Sequence, residues 1–223
     1  MATLVELGVK NKTDKVGHNY LNHYEERFKP IREERFTLLE LGIMRGSSLR
    51  MWRDFFPLAN IVGVDITKES MLKGEERIQC YQGDQGNKSF LEEVAKVEGP
   101  LTLVIDDGSH RGWHHVESFK ALWPFVNPGG WYCIEDAFSI FHKSWTDPGH
   151  FTILHLIEEE WAAIIRSQST IAQVAVIGCD TCKPLAGRNN GLIFLQKAIV
   201  AKEDMPLPKN EESNFFTSKD RRY

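Results

Sequence analysis

Two short segments, Asp106-Asp107-Gly108-Ser109-His110 and Ile134-Glu135-Asp136, hold the residue types that metal-assisted proton chemistry needs. Each closes a short apolar run, Leu101–Asp106 and Trp131–Glu135. In a parallel sheet the ends of neighbouring strands lie close together, so up to four carboxylates would converge on one edge. Unpaired carboxylates repel one another and resist burial. A divalent cation resolves that conflict, and an all-oxygen donor set selects Mg2+, with Ca2+ or Mn2+ as substitutes, over zinc. His110 stands three residues after Asp107. Its imidazole titrates near neutrality and can take a proton from a hydroxyl whose pKa a metal has lowered. His110 is therefore a catalytic candidate, with Asp107 among the carboxylates beside it, and the four carboxylates Asp106, Asp107, Glu135 and Asp136 suit a metal. The plainer reading of His110, a helix cap or polar surface residue, stays open. His114 and His115 are weaker candidates, and the His110/His114 spacing lacks the Glu of a zincin motif.

Positioning these groups requires a sheet. The runs Phe36–Leu41, Asn60–Asp65, Arg77–Tyr81, Leu101–Asp106 and Trp131–Glu135 are short and bounded by Gly, Pro or charge, which predicts buried strands. Between them, Ser47–Phe56, Lys88–Val97 and Trp113–Phe125 carry apolar residues at helical spacing, with Ser at the cap of the first. Alternating strands and helices predict a parallel sheet with right-handed crossovers. Ile153–Ile165 reads as an amphipathic helix, and Ile171–Ile177 with Leu192–Gln196 as an antiparallel pair. The expected fold class is α/β: a Rossmann-like, mostly parallel seven-stranded sheet with an antiparallel terminal hairpin and helices on both faces, the class I methyltransferase architecture. Residues 1–34 are expected to form a separate helical cap, residues 35–201 the main domain and residues 202–223 a polar tail.

The other strand ends suit a nucleoside. Glu40-Leu41-Gly42-Ile43-Met44-Arg45-Gly46-Ser47-Ser48 places two glycines between a strand and a helix, where backbone must turn tightly and approach a ligand. The spacing is neither G-x-G-x-x-G nor a P-loop. Asp65 ends the second strand, where a carboxylate can accept both hydroxyls of a ribose, and Gly83-Asp84-Gln85 ends the third. Taken singly, the glycines read as turn residues and Asp65 as a helix cap. Together, without a phosphate cradle, they fit S-adenosylmethionine better than NAD.

Bulk properties exclude several classes. Lys and Arg number 27 against 31 Asp and Glu, a formal net charge of −4 over 223 residues, so a nucleic-acid partner is not expected. No apolar run reaches the ~18–20 residues of a membrane span, and the expectation is a cytoplasmic protein acting on a small molecule without a membrane partner. Cys179 and Cys182 form a lone CxxC, too little for a zinc site. The oligomeric state, a homo-oligomer included, is not readable.

These motifs resemble the macrolide-sugar O-methyltransferases, of the demethylmacrocin and mycinamicin type, among the class I S-adenosylmethionine-dependent enzymes. The resemblance spans residues 11–145: Thr13-Asp14-Lys15, Tyr20 and Tyr24-Glu25, Leu39-Glu40-Leu41-Gly42, Gly46 through Trp52, Val64-Asp65, Gly83-Asp84-Gln85, Asp106 through His110, and Pro128-Gly129-Gly130 to Asp136. It implies that Asp107, Glu135 and Asp136 hold Mg2+ and that His110 is the general base. It also implies that S-adenosylmethionine is held by Glu40, Gly42, Gly46, Ser48, Asp65, Asp84 and Gln85, with Thr13, Lys15 and Tyr20 near its amino-acid end. Asp106 is grouped with the cofactor residues, its role between cofactor and acceptor left open. The acceptor implied is a hydroxyl of a sugar or glycoside, and Phe138, Phe141, His142, Trp145 and Phe151 could wall it. Two rivals share the motifs: an iron-dependent enzyme of the cephalosporin-hydroxylase-like group, and a non-catalytic binding protein on the same fold.

Overall fold

A computed structural model describes residues 1–137, 139, 151–178 and 191–199. Two helices come first. In α1 (Leu4–Asn11), Thr3 and Glu6 form a reciprocal capping box, and Lys12 ends the helix in the left-handed conformation. α2 (Tyr20–Phe28) follows a single turn over Asp14–Val16. The sheet begins with β1 (Thr37–Leu41), whose residues are all buried. Then come α3 (Ser47–Phe55), β2 (Asn60–Asp65), β3 (Ile78–Gln82), α4 (Lys88–Glu98), β4 (Leu101–Asp106), α5 (Gly112–Leu122), β5 (Val126–Ile134), α6 (Ile153–Ile165), β6 (Ile171–Gly178) and β7 (Gly191–Lys197).

The seven strands form one sheet in the order β3-β2-β1-β4-β5-β7-β6. β1 to β5 are parallel, and β7 runs antiparallel to both β5 and β6. This is the expected class I methyltransferase fold. Alternation along each strand sends side chains to two cores. Leu39, Leu41, Val62, Val64 and Val104 meet α4, α5 and α6 on one face. Leu38, Ile61, Leu103 and Ile105 meet α1, α2 and α3 on the other. The N-terminal helices therefore share the core of the sheet: Leu4, Tyr24 and Phe28 are wholly buried with Trp52 and Phe194.

Three local details depart from expectation. Gly46, with φ 73°, is the N-cap of α3, and Ser47 is its first residue, because the chain must turn through the left-handed region there. α5 ends at Leu122, where Pro124 diverts the chain into a tight turn over Trp123–Phe125. β5 starts at Val126, ahead of the Pro128-Gly129-Gly130 expected to break structure. A register shift carries these residues: Leu101 pairs with Val126 but Leu103 with Trp131, so Pro128 needs no ladder partner. Among the cysteines, Cys80 and Cys133 are free thiols; Cys179, Cys182 and the tail from residue 202 lie outside the described residues.

Candidate active site

Glycines bring β1 and β4 together at their carboxyl ends. Gly42, at φ 92°, packs against the backbone carbonyl of Asp107, where any Cβ would collide. Gln85 clamps the same corner from β3: its Oε1 accepts from Ser109 N (2.6 Å), and its Nε2 donates to Asp106 Oδ1 (3.1 Å). Asp106 points inward and is wholly buried. Its Oδ2 accepts from Ser118 Oγ (2.6 Å) and Tyr132 Oη (2.9 Å). Three neutral donors thus satisfy one carboxylate, and Asp106 acts as a rivet between β3, β4, β5 and α5.

Asp107 points the other way, into an inner cluster. Lys15 Nζ lies 2.5 Å from Asp107 Oδ2, 2.8 Å from Glu135 Oε1 and 3.1 Å from Glu40 Oε1. Lys15 is 1% exposed, as is Glu135, and Glu40 is fully enclosed. Burial disfavours the ammonium, but Asp107, Glu135 and Glu40 outweigh it and hold its pKa well above the ordinary value. Burial and Asp107 push Glu135 up, opposed by Lys15. Glu40 is likewise raised by burial. Tyr24 Oη donates to Glu135 Oε1 (2.8 Å), and Ser48 Oγ to Glu40 Oε2 (2.8 Å).

An outer trio lies next to this cluster. Asp107, His110 and Asp136 each offer a ligand atom, and these atoms lie within 4.8 Å of one another; Glu40, Asp107 and Glu135 do the same inside. Asp107 belongs to both groups. His110 Nε2 stands 3.8 Å from Asp136 Oδ2. Both residues have positive φ, 57° and 49°, a costly backbone for non-glycine residues. Tyr20 Oη donates to Asp136 Oδ1 (2.7 Å), and His18 Nδ1 approaches the same atom at 4.0 Å.

A cleft of about 220 Å³ opens beside the trio, lined by Gly42, Val64, Asp65, Ile66, Gly83, Asp84, Gln85, Gly108, Ser109 and His114. Asp65 Oδ2 accepts from Ile43 N (2.8 Å) and Met44 N (3.0 Å), and Oδ1 from Thr67 N (2.8 Å). Partial burial works against its charge, but these amides more than compensate and lower its pKa.

Of the expected cofactor residues, the cleft wall thus gathers Gly42, Asp65, Asp84 and Gln85. It does not gather Thr13, Lys15, Tyr20, Glu40, Gly46, Ser48 or Asp106. Thr13 caps the turn that presents Lys15. Ser48 and Tyr20 serve carboxylates, and Gly46 packs against Leu72. The three expected metal ligands are divided: Glu135 is inside, Asp136 outside, and Asp107 between them. Sequence reading missed Ser109 and His114 as cleft residues, Ser118 and Tyr132 as partners of Asp106, and His18 beside Asp136. Position in the chain offered a signal for Ser109, inside a recognised motif, and for His18 and His114, which flank recognised motifs. Of the aromatic wall, Phe151 is described and partly exposed; Phe138, Phe141, His142 and Trp145 lie outside the described residues.

A glycine turn, acidic strand ends and a seven-stranded sheet with an antiparallel end define a class I methyltransferase fold. Comparison with known proteins gives the kind more narrowly. The chain is 42% identical over 147 residues to mycinamicin VI 2''-O-methyltransferase of Micromonospora griseorubida, covering 62% of this chain and 37% of the relative. It is 40% identical over 213 residues to a tetracenomycin 3'-O-methyltransferase of Streptomyces olivaceus that acts on a 2-methoxy-rhamnosyl compound, covering 84% and 54%. The solved structure of MycE methyltransferase with Mg, SAH and mycinamycin VI superposes with a TM-score of 0.76 at 33% identity, covering 88% of this chain and 54% of that one. No family model matches. The chain therefore spans about half the length of such relatives. Across that span it resembles, in sequence and structure, S-adenosylmethionine-dependent O-methyltransferases of the macrolide-sugar type. Among the described residues no helix is long and apolar enough to cross a membrane.

Proposed function

We propose that this chain transfers a methyl group from S-adenosylmethionine to a hydroxyl of a sugar or glycosylated natural product, with Mg2+ as the metal. The observation that carries the reading is the juxtaposition of the Asp107–His110–Asp136 trio with the cleft that Gly42, Asp65 and Asp84 line. The names of the sugar O-methyltransferases it resembles support the acceptor class, and the Mg and SAH in the MycE complex support the ligands.

The donor set fits such an ion. Glu40, Asp107, Glu135 and Asp136 bring four carboxyl groups to the one ammonium of Lys15, and the raised Glu40 and Glu135 mark a cluster short of positive charge. Hard carboxylate oxygens suit Mg2+. Asp107, Asp136 and Glu135 would hold it, and when bound it supplies Lewis acidity that makes a nearby hydroxyl easier to deprotonate.

The remaining steps belong to the chain's own groups. His110 takes the proton of the acceptor hydroxyl at an imidazole nitrogen. S-adenosylmethionine, which Gly42, Asp65, Asp84 and Gln85 would hold, would supply the methyl group, the new C–O bond forming as the S–CH3 bond breaks with its electron pair left on sulfur. Asp136, beside His110, stabilises the imidazolium that results. Tyr20 keeps Asp136 oriented through its phenol. Alignment of donor and acceptor supplies much of the rate.

The trio offers one imidazole and two carboxylates, the reverse of the two-His, one-carboxylate set of non-haem iron oxygenases. A screen of glycosides with methyl-labelled S-adenosylmethionine and Mg2+ tests the reading. Label should enter one hydroxyl, EDTA should abolish transfer, and Mg2+ should restore it. Bound iron in the purified protein, or transfer indifferent to EDTA, would defeat it.

A further inference from the structure

Lys15 is a buried ammonium at the centre of three carboxylates, whereas the family resemblance implies a place near the donor's amino-acid end. Its nitrogen donates to Asp107 Oδ2 and Glu135 Oε1. Its third neighbour is Glu40 Oε1, at ion-pair distance. An ammonium has three N–H groups and no acceptor. Two of these are used on Asp107 and Glu135, and at 1% exposure Lys15 is shut away from solvent and is not part of the cleft wall. Its backbone is fixed as well. Thr13 Oγ1 accepts from Lys15 N, Gly17 N closes the turn on Asp14 O, and Gly8 leaves room for Val16 and Leu21 to pack beneath.

We infer that Lys15 is a positioning residue of the metal centre and not a contact of the methyl donor. Its ammonium gathers Asp107 and Glu135, which come from different strands, and holds one oxygen of each. Tyr24 shares the task by donating to the same Glu135 oxygen. Three carboxylates around one ammonium remain under-neutralised, so the cluster still attracts a divalent cation on its outer side, where Asp107 joins His110 and Asp136. Partners of this kind, behind the ligands, typically set metal affinity by about 10–100-fold. The inference rests on the metal reading above and adds which residue assembles the site.

Two binding measurements separate the possibilities without turnover. Mn2+ binding is followed by the loss of the free-ion EPR signal in protein without methyl donor. Binding of S-adenosylhomocysteine is followed by calorimetry with metal removed. Lys15→Met should raise the Mn2+ Kd about tenfold or more and leave the S-adenosylhomocysteine Kd within about twofold. Tyr24→Phe, a milder change that keeps the ammonium, should weaken Mn2+ by a smaller factor with the same selectivity, and stands in if Lys15→Met does not fold. Unchanged or tighter Mn2+ binding in both variants overturns the inference, as does a loss confined to S-adenosylhomocysteine. If the wild-type chain itself binds no Mn2+, the metal reading falls, and this inference with it.

Discussion

Two sets of acid groups at the sheet's carboxyl edge are satisfied in opposite ways. In one set, Asp65 at the end of β2 is satisfied by three backbone amides, and Asp106 at the end of β4 by an amide and two hydroxyls. These groups are neutral donors, so that set is complete as it stands, and Asp65 lines the cleft. In the other set, Glu40 from β1 and Asp107 and Glu135, which follow β4 and β5, surround one ammonium, and Asp136 has a phenol and nearby imidazoles. That set is electrostatically incomplete. The contrast supports the proposed roles: a neutral, pre-shaped region suits the adenosyl ligand, and an under-neutralised one suits a cation and proton transfer.

Substitutions that cross this contrast should differ in kind as well as size. The largest effect is expected from His110→Ala, which removes the proposed base and should lower methyl transfer about 10²–10⁴-fold while S-adenosylhomocysteine still binds. Wild-type turnover by this variant would remove His110 from the chemistry. Gly42→Ala should damage both regions at once. It strains a backbone at φ 92° and drives a methyl group into the Asp107 carbonyl, so a loss of about 2–4 kcal/mol in denaturant unfolding is expected. An unchanged midpoint would show that the corner relaxes freely. Asp65→Ala leaves three amides of the glycine turn without their acceptor, at about 1–3 kcal/mol. It should weaken S-adenosylhomocysteine and spare Mn2+; equal weakening of both would blur the division between the regions.

The smallest effect concerns His115. It is wholly buried, and neither ring nitrogen has a hydrogen-bond partner. Burial lowers its pKa from the ordinary 6.5. A depressed folded-state pKa means that the neutral ring is fully compatible with the fold above about pH 6.5. As pH falls below that value the unfolded chain binds the proton more readily, and stability declines toward the folded pKa. His115→Leu should therefore show a shallower fall in Tm between pH 7.5 and 5.5 than the wild type. An equally steep fall in the variant would assign the acid sensitivity to other groups.

Much of this was legible in the residues. Short apolar runs gave the strand positions because a strand buried on both faces needs little else, and β2 and β4 match the runs residue for residue. Acidic residues at strand ends marked the functional edge. β5 was read too short because Pro128-Gly129-Gly130 looks like a break, whereas a bulge accommodates it. The site was less legible in its pairing. Asp106 and Asp107 are adjacent and chemically alike, yet strand alternation sends one into the core and the other into the cluster.

The sequence by itself determined the fold class, the edge on which the chemistry sits and the resemblance to sugar O-methyltransferases. Strand periodicity and motif spacing are local properties, and each can be read within a few dozen residues. Only the tertiary structure decided which charge meets which. Lys15 and Glu135 are 120 residues apart in sequence, and packing α1, α2 and the turn between them against the sheet makes that lysine the cation at the centre of the carboxylates.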